Sequence, residues 1–194
     1  MGYTHYWERQ KRYSRPVFNR ICSDMQKLDR SRRCDYPRWA STFGGKEVML
    51  DKGASKRFVK ANAQESGCLC FNGNDQLGHE DFYFQRVMGK ISSVDQQMAT
   101  KHPTKTTTKL YFQFCKTARK PYDLMVCACL LIMKYHLGDD IIVKSDGSPS
   151  DWEHAKDFIC ERLDRPLITT WRDGVLIGVC EDEYSGITST IINA

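Results

Sequence analysis

Residues 114–152 read FCKTARKPYDLMVCACLLIMKYHLGDDIIVKSDGSPSDW. The run Leu124–Met133 is apolar on every side. A helix built on it has no solvent face and must be enclosed by neighbours. Pro121 opens such a helix, where its missing N–H costs no hydrogen bond. Gly138 stops it after a last turn carrying His136. The helix is therefore predicted over about 122–137. Asp140–Lys144 then reads as a strand, and Ser145-Asp146-Gly147 turns out of it. Ser148, Pro149 and Asp151 form a capping-box-like start for another helix, with Trp152, Ala155, Ile159 and Leu163 as its apolar stripe. Pro166 ends that helix. Leu167–Trp171 and Val175–Cys180, joined through Arg172-Asp173-Gly174, read as a β-hairpin.

Upstream, residues 2–7 (GYTHYW) are β-branched and aromatic and read as a strand. Ser14 and Pro16 open a helix whose core stripe is Val17, Phe18, Ile21, Met25 and Leu28. Short strands are expected at Glu47–Leu50, Arg57–Val59, Cys68–Phe71, Asp81–Val87 and Lys109–Cys115. Residues 89–108 are polar and read as an exposed loop. The sum is one α+β domain over residues 1–194: a mixed or antiparallel sheet, about three helices, and the middle one buried. The hairpin at 167–180 reads as an element that could be appended to it.

Composition bounds the chemistry. The 194 residues are 41% hydrophobic and 27% charged, which is a globular balance. No apolar run reaches the roughly 18 residues of a membrane span. The N-terminal MGYTHYWERQKR lacks the apolar middle of a signal peptide, so the nine cysteines are read as reduced thiols in an intracellular setting. There is no CxxC pair. Cys68 and Cys70 would share a strand face but need two further ligands to hold zinc, and Cys127 and Cys129 read as packing. No metal and no cofactor is expected.

The net charge is +5, and residues 1–60 hold fifteen Lys and Arg against six Asp and Glu. Arg30, Arg32 and Arg33 suit a helix C-terminus, and they also suit phosphate. Tyr6, Trp7, Tyr13, Tyr36 and Trp39 interleave with this basic third, a pattern that suits base stacking.

The strings MGYTHYW (1–7), FNG (71–73), GHEDF (78–82), FCKTARKPYD (114–123) and SDG (145–147) resemble a group of uncharacterised proteins of phages and bacterial genomes. The resemblance implies a phage or viral setting and carries no activity and no catalytic residue.

Two functional readings follow. The first is an accessory protein that binds nucleic acid or an acidic host protein through the basic third. The second is an enzyme acting on a phosphorylated small molecule or nucleotide. Lys116, Thr117 and backbone N–H groups, at a strand–loop–helix start, would hold the anion; Arg119, Lys120 and Tyr122 belong to the same candidate binding loop, and Asp123 there complements the helix dipole. His5, His79 and Asp146 would supply acid–base chemistry. That enzyme requires His5, His79, Lys116 and Asp146 to share one cleft. Cys115, beside Lys116, is the candidate for an activated thiol, with burial as the plainer reading.

Overall fold

The computed structural model describes residues 2–30, 57–62, 66–73, 77–101, 105 and 107–182. The expected strand at 47–50, a last short strand that the tail could add around Ile187, and Arg32, Arg33, Tyr36 and Trp39 lie outside the described residues.

Strand β1 (Thr4–Gln10) sits inside a six-stranded sheet. It is flanked by β6 (Lys109–Lys116) on one side and β7 (Ile141–Ser145) on the other. Beyond β6 lies β5 (Thr100–Lys101); beyond β7 come β9 (Val175–Glu181) and then β8 (Leu167–Arg172). Every pairing is antiparallel. A second sheet joins β2 (Arg57–Val59), β3 (Cys68–Phe71) and β4 (Phe82–Gln85), also antiparallel.

The apolar run forms α3 (Asp123–Leu137), buried continuously from Leu124 to Lys134. It packs between α1 (Arg15–Arg30) and α4 (Glu153–Leu163) and onto β7 and β9. Each buried Leu, Ile or Met there contributes about 1.5–3 kcal/mol of transfer free energy. Lys134 is the polar member of this run. Its ammonium reaches the Ile141 carbonyl at 3.2 Å, so its charge is not left bare. Gly138 closes the helix at a φ of +54°, its N–H donating to the Lys134 carbonyl.

Three expectations change. The 89–108 stretch is not all loop: Ser92 and Asp95 make a reciprocal capping box that starts α2 (Ser93–Met98), two orphan donors being satisfied at once. The helix after Ser148 begins as a 3-10 turn, Pro149–Trp152, before α4. The hairpin is not an appendage. Val143 pairs with Leu176 and Lys144 with Val175, so β9 continues the main sheet. Its turn, Asp173-Gly174, holds φ at +50° and +73°, the left-handed pair that matches strand twist.

Aromatic rings join the two sheets. Trp7 meets Phe82 at 5.2 Å between centroids, and Phe84 lies against both Tyr13 and Phe18. Arg9 is fully buried in this junction. Its guanidinium stands 3.8 Å from the Phe84 ring and 5.0 Å from that of Tyr13. The aromatic faces offset part of the cost of burying the charge, and burial still lowers its pKa to about 10.

Asp24, on α1, ties that helix to α3 and to the chain just past the end of α4. Its carboxylate accepts from His136 at 2.8 Å and from Arg165 at 2.9 Å. Burial alone would raise its pKa, but these two bonds outweigh it and hold the group at about 2. A carboxyl depressed below its ordinary 3.8 stabilises the fold above that value and loses the contribution as pH falls through about 2. Asp24→Asn is expected to cost about 2 kcal/mol at neutral pH and almost nothing near pH 2. Urea unfolding in pH steps checks this; an equal deficit at both ends of the range would refute it.

Candidate functional site

The ends of β1, β6 and β7 meet the start of α3 at one edge of the molecule, and most of the residues singled out in the sequence lie there. His5 is fully buried, facing the helices. Its Nε2 lies 2.7 Å from Asp123 Oδ1 and 3.6 Å from Cys127 Sγ, and its Nδ1 lies 3.0 Å from Ser145 Oγ. Register explains the last contact, because His5 pairs directly with Ser145 across β1 and β7 and paired residues share a sheet face. Helix geometry explains the first two: Asp123 and Cys127 are four residues apart and so lie one above the other. The Ser145 hydroxyl also accepts from the Gly147 N–H at 3.0 Å.

Rings enclose the imidazole. Tyr3 and Trp152 both meet it edge-on, at 5.1 and 5.0 Å. The Arg119 guanidinium covers the outer face of Tyr3 at 3.9 Å and pairs with Asp151 at 2.8 Å. That pairing, together with the Ser148 N–H and hydroxyl, holds Asp151 below its ordinary pKa. Burial and then the Asp123 carboxylate push the Cys127 thiol well above its ordinary value. Burial likewise raises Cys115 to about 12, so Cys115 is no activated thiolate.

The anion cradle expected at Lys116–Asp123 does not form. The Thr117 and Ala118 N–H groups both donate to the Tyr3 carbonyl, the Lys120 N–H donates to the Thr117 carbonyl, and the Lys116 N–H donates to Glu80. Ala118 and Arg119 adopt left-handed φ values of +51° and +54° to wrap the loop around Tyr3. Thr117 is buried, and Tyr122 spends its hydroxyl on the Glu80 and Lys116 carbonyls. Lys120 is half-buried in the same loop.

Nor do the three proposed acid–base groups and Lys116 converge. Asp146 lies just past the end of β7, its carboxylate accepting from the Thr4 N–H and the Tyr6 hydroxyl, both at 3.0 Å. Its own N–H donates to Thr4, so Asp146 clamps the turn to β1. His79 is exposed and donates from Nδ1 to the Lys116 carbonyl at 2.9 Å. Lys116 points to the side of the sheet opposite His5, its ammonium 5.7 Å from the Phe114 ring. Strand alternation is the reason: His5 and Cys115 are paired inward, and their neighbours Tyr6, Phe114 and Lys116 face outward.

That outward face has its own character. Tyr6 pairs with Phe114 and Lys144, and Glu8 with Phe112 and Ile142, so all six side chains share it. Phe112 and Phe114 are 47% and 48% exposed. Tyr6 stacks on Phe112 at 5.9 Å, and Phe112 lies 6.1 Å from Phe114. Tyr6, Trp7, Glu8, Phe112, Ile142 and Lys144 line a shallow depression there. Lys144 reaches Glu8 at 3.4 Å.

Neither Ser145 nor Cys127 stands out in the sequence as a chemical group. The four-residue spacing of Asp123 and Cys127 was a usable signal; the approach of His5 and Ser145 was not, since it depends on pairing across 140 residues. Arg30 ends α1, and Arg32 and Arg33 fall beyond the described residues. Compared with protein-family models, curated proteins and solved structures, the chain matches none.

Proposed function

We propose that the outward face of the six-stranded sheet binds single-stranded nucleic acid. The observation that carries this reading is the row of exposed rings on neighbouring strands, Tyr6, Phe112 and Phe114. Unpaired bases stack on such sheet-borne aromatics, and the contact tolerates any sequence because every base has a π-face. Lys116 and Lys144 stand beside the rings, where phosphates flanking a stacked base would pass. A polyanion also suits the chain's +5 charge. The reading keeps the nucleic-acid partner expected from the sequence and moves the contact. The basic N-terminal third supplies Tyr6 from β1, and the platform is completed by β6 and β7. The phage or viral setting implied by MGYTHYW belongs to the same proposal.

Fluorescence anisotropy with labelled single-stranded and duplex oligonucleotides tests it. Single strands should bind in preference to duplex, since paired bases cannot reach the rings. Two lysines engaging phosphate predict a slope of log K on log salt of about −1.4. Equal binding of duplex, or no binding of either form, would exclude the platform; capture of an acidic protein in place of oligonucleotide would favour the protein partner.

A further inference from the structure

We propose that His5 Nε2, the Asp123 carboxylate and Cys127 Sγ form a binding site for a divalent transition-metal ion, zinc by its donor set. The three donors lie within 4.8 Å of one another, with His5 and Cys127 buried. One nitrogen, one oxygen and one sulfur donor suit zinc, whose sites with three protein ligands keep a fourth position open. Around a tetrahedral zinc with ordinary bond lengths, N and S donors stand about 3.5 Å apart. His5 Nε2 and Cys127 Sγ are 3.6 Å apart, and Cys127 Sγ and Asp123 Oδ2 are 4.0 Å apart. His5 Nε2 bonds the other carboxylate oxygen, Oδ1, at 2.7 Å, a hydrogen bond that has to open by about 0.6 Å to admit the ion between Nε2 and Oδ1.

The surroundings agree with such a site. A metal-bound histidine needs its other ring nitrogen held by a hydrogen bond. Ser145 holds Nδ1 and is itself fixed by the Gly147 N–H. Its hydroxyl serves both states of the ring. It donates to Nδ1 while Nε2–H bonds Asp123, and it accepts from Nδ1–H when Nε2 binds metal. Two buried polar atoms at this end, Thr117 Oγ1 and Trp152 Nε1, complete no hydrogen bond. Such atoms are rare in native interiors. Binding forms one metal–sulfur bond and releases the Cys127 thiol proton to solvent.

The test is a cobalt(II) titration of the reduced, chelator-treated full chain. The expected result is one ion per chain, thiolate-to-cobalt charge-transfer absorption, visible bands of four-coordinate intensity, and displacement of both by zinc. Cys127→Ser should abolish the charge-transfer band, and the double variant Cys68→Ser/Cys70→Ser should keep it. Asp123→Asn should weaken zinc binding by more than about 100-fold, and Ser145→Ala, one shell further out, by about 10–100-fold. The wild-type spectrum decides without any variant: no thiolate band means no site. A band that survives Cys127→Ser and vanishes in the Cys68/Cys70 variant would also overturn the proposal. His5 and the aromatic row lie on opposite faces of the sheet, so failure here and failure of oligonucleotide binding are separate results.

Discussion

Replacing Phe112 and Phe114 together by alanine is expected to weaken single-stranded oligonucleotide binding by about 30-fold or more. Each base–ring stack is worth about 1–3 kcal/mol by alanine substitution, so two lost stacks remove at least about 2 kcal/mol. Both rings are half-exposed, and the fold should tolerate their loss with little change in thermal midpoint. Lys116→Ala has a different signature: a shallower salt dependence with the single-strand preference kept, because it removes phosphate contact and leaves the rings. Anisotropy titrations at several salt concentrations separate the two. Unchanged affinity in the double phenylalanine variant would eliminate the sheet face as the binding surface.

Trp7→Ala should be the most damaging single truncation for stability, at about 3–5 kcal/mol. Trp7 is 1% exposed at the middle of the central strand. Its ring packs on Phe82 of the second sheet, and its Nε1–H donates to Gln113 at 3.1 Å. Truncation leaves a cavity where the two sheets meet and strips Gln113 of its donor. In a chain of this size a deficit of that order lowers the midpoint by roughly 6–20 °C. Trp7→Phe keeps most of the packing and loses only the hydrogen bond, about 1 kcal/mol. Urea unfolding followed by circular dichroism measures both. A cost below about 1 kcal/mol for the alanine variant would mean that the second sheet does not depend on Trp7.

Local signals read well where chain chemistry is short-range. The enclosed helix at 123–137, the glycine that stops it, the Ser148–Asp151 cap and the Asp173-Gly174 turn all follow from residues within a few positions of one another. In β4 strand alternation buries Phe82 and Phe84 and exposes Tyr83. The short helix at 93–98 was legible too, from Ser92 and Asp95, but the surrounding polar residues masked it. The anion cradle at Lys116–Lys120 failed for a reason no local pattern shows: the N–H groups of that loop are spent on Tyr3, Glu80 and Thr117.

By itself the sequence determined an α+β chain with one enclosed helix, because apolar periodicity, caps and turn residues act over distances of a few residues. The tertiary structure alone decided which polar groups meet. Antiparallel pairing in register sets His5 beside Ser145 and Tyr6 beside Phe114 and Lys144. The two-residue alternation of a strand then sends the first pair under the helices and the second out to solvent. Neighbours in sequence, His5 and Tyr6 thus belong to different candidate sites, a separation that depends on the sheet's register and on which of its faces the helices cover.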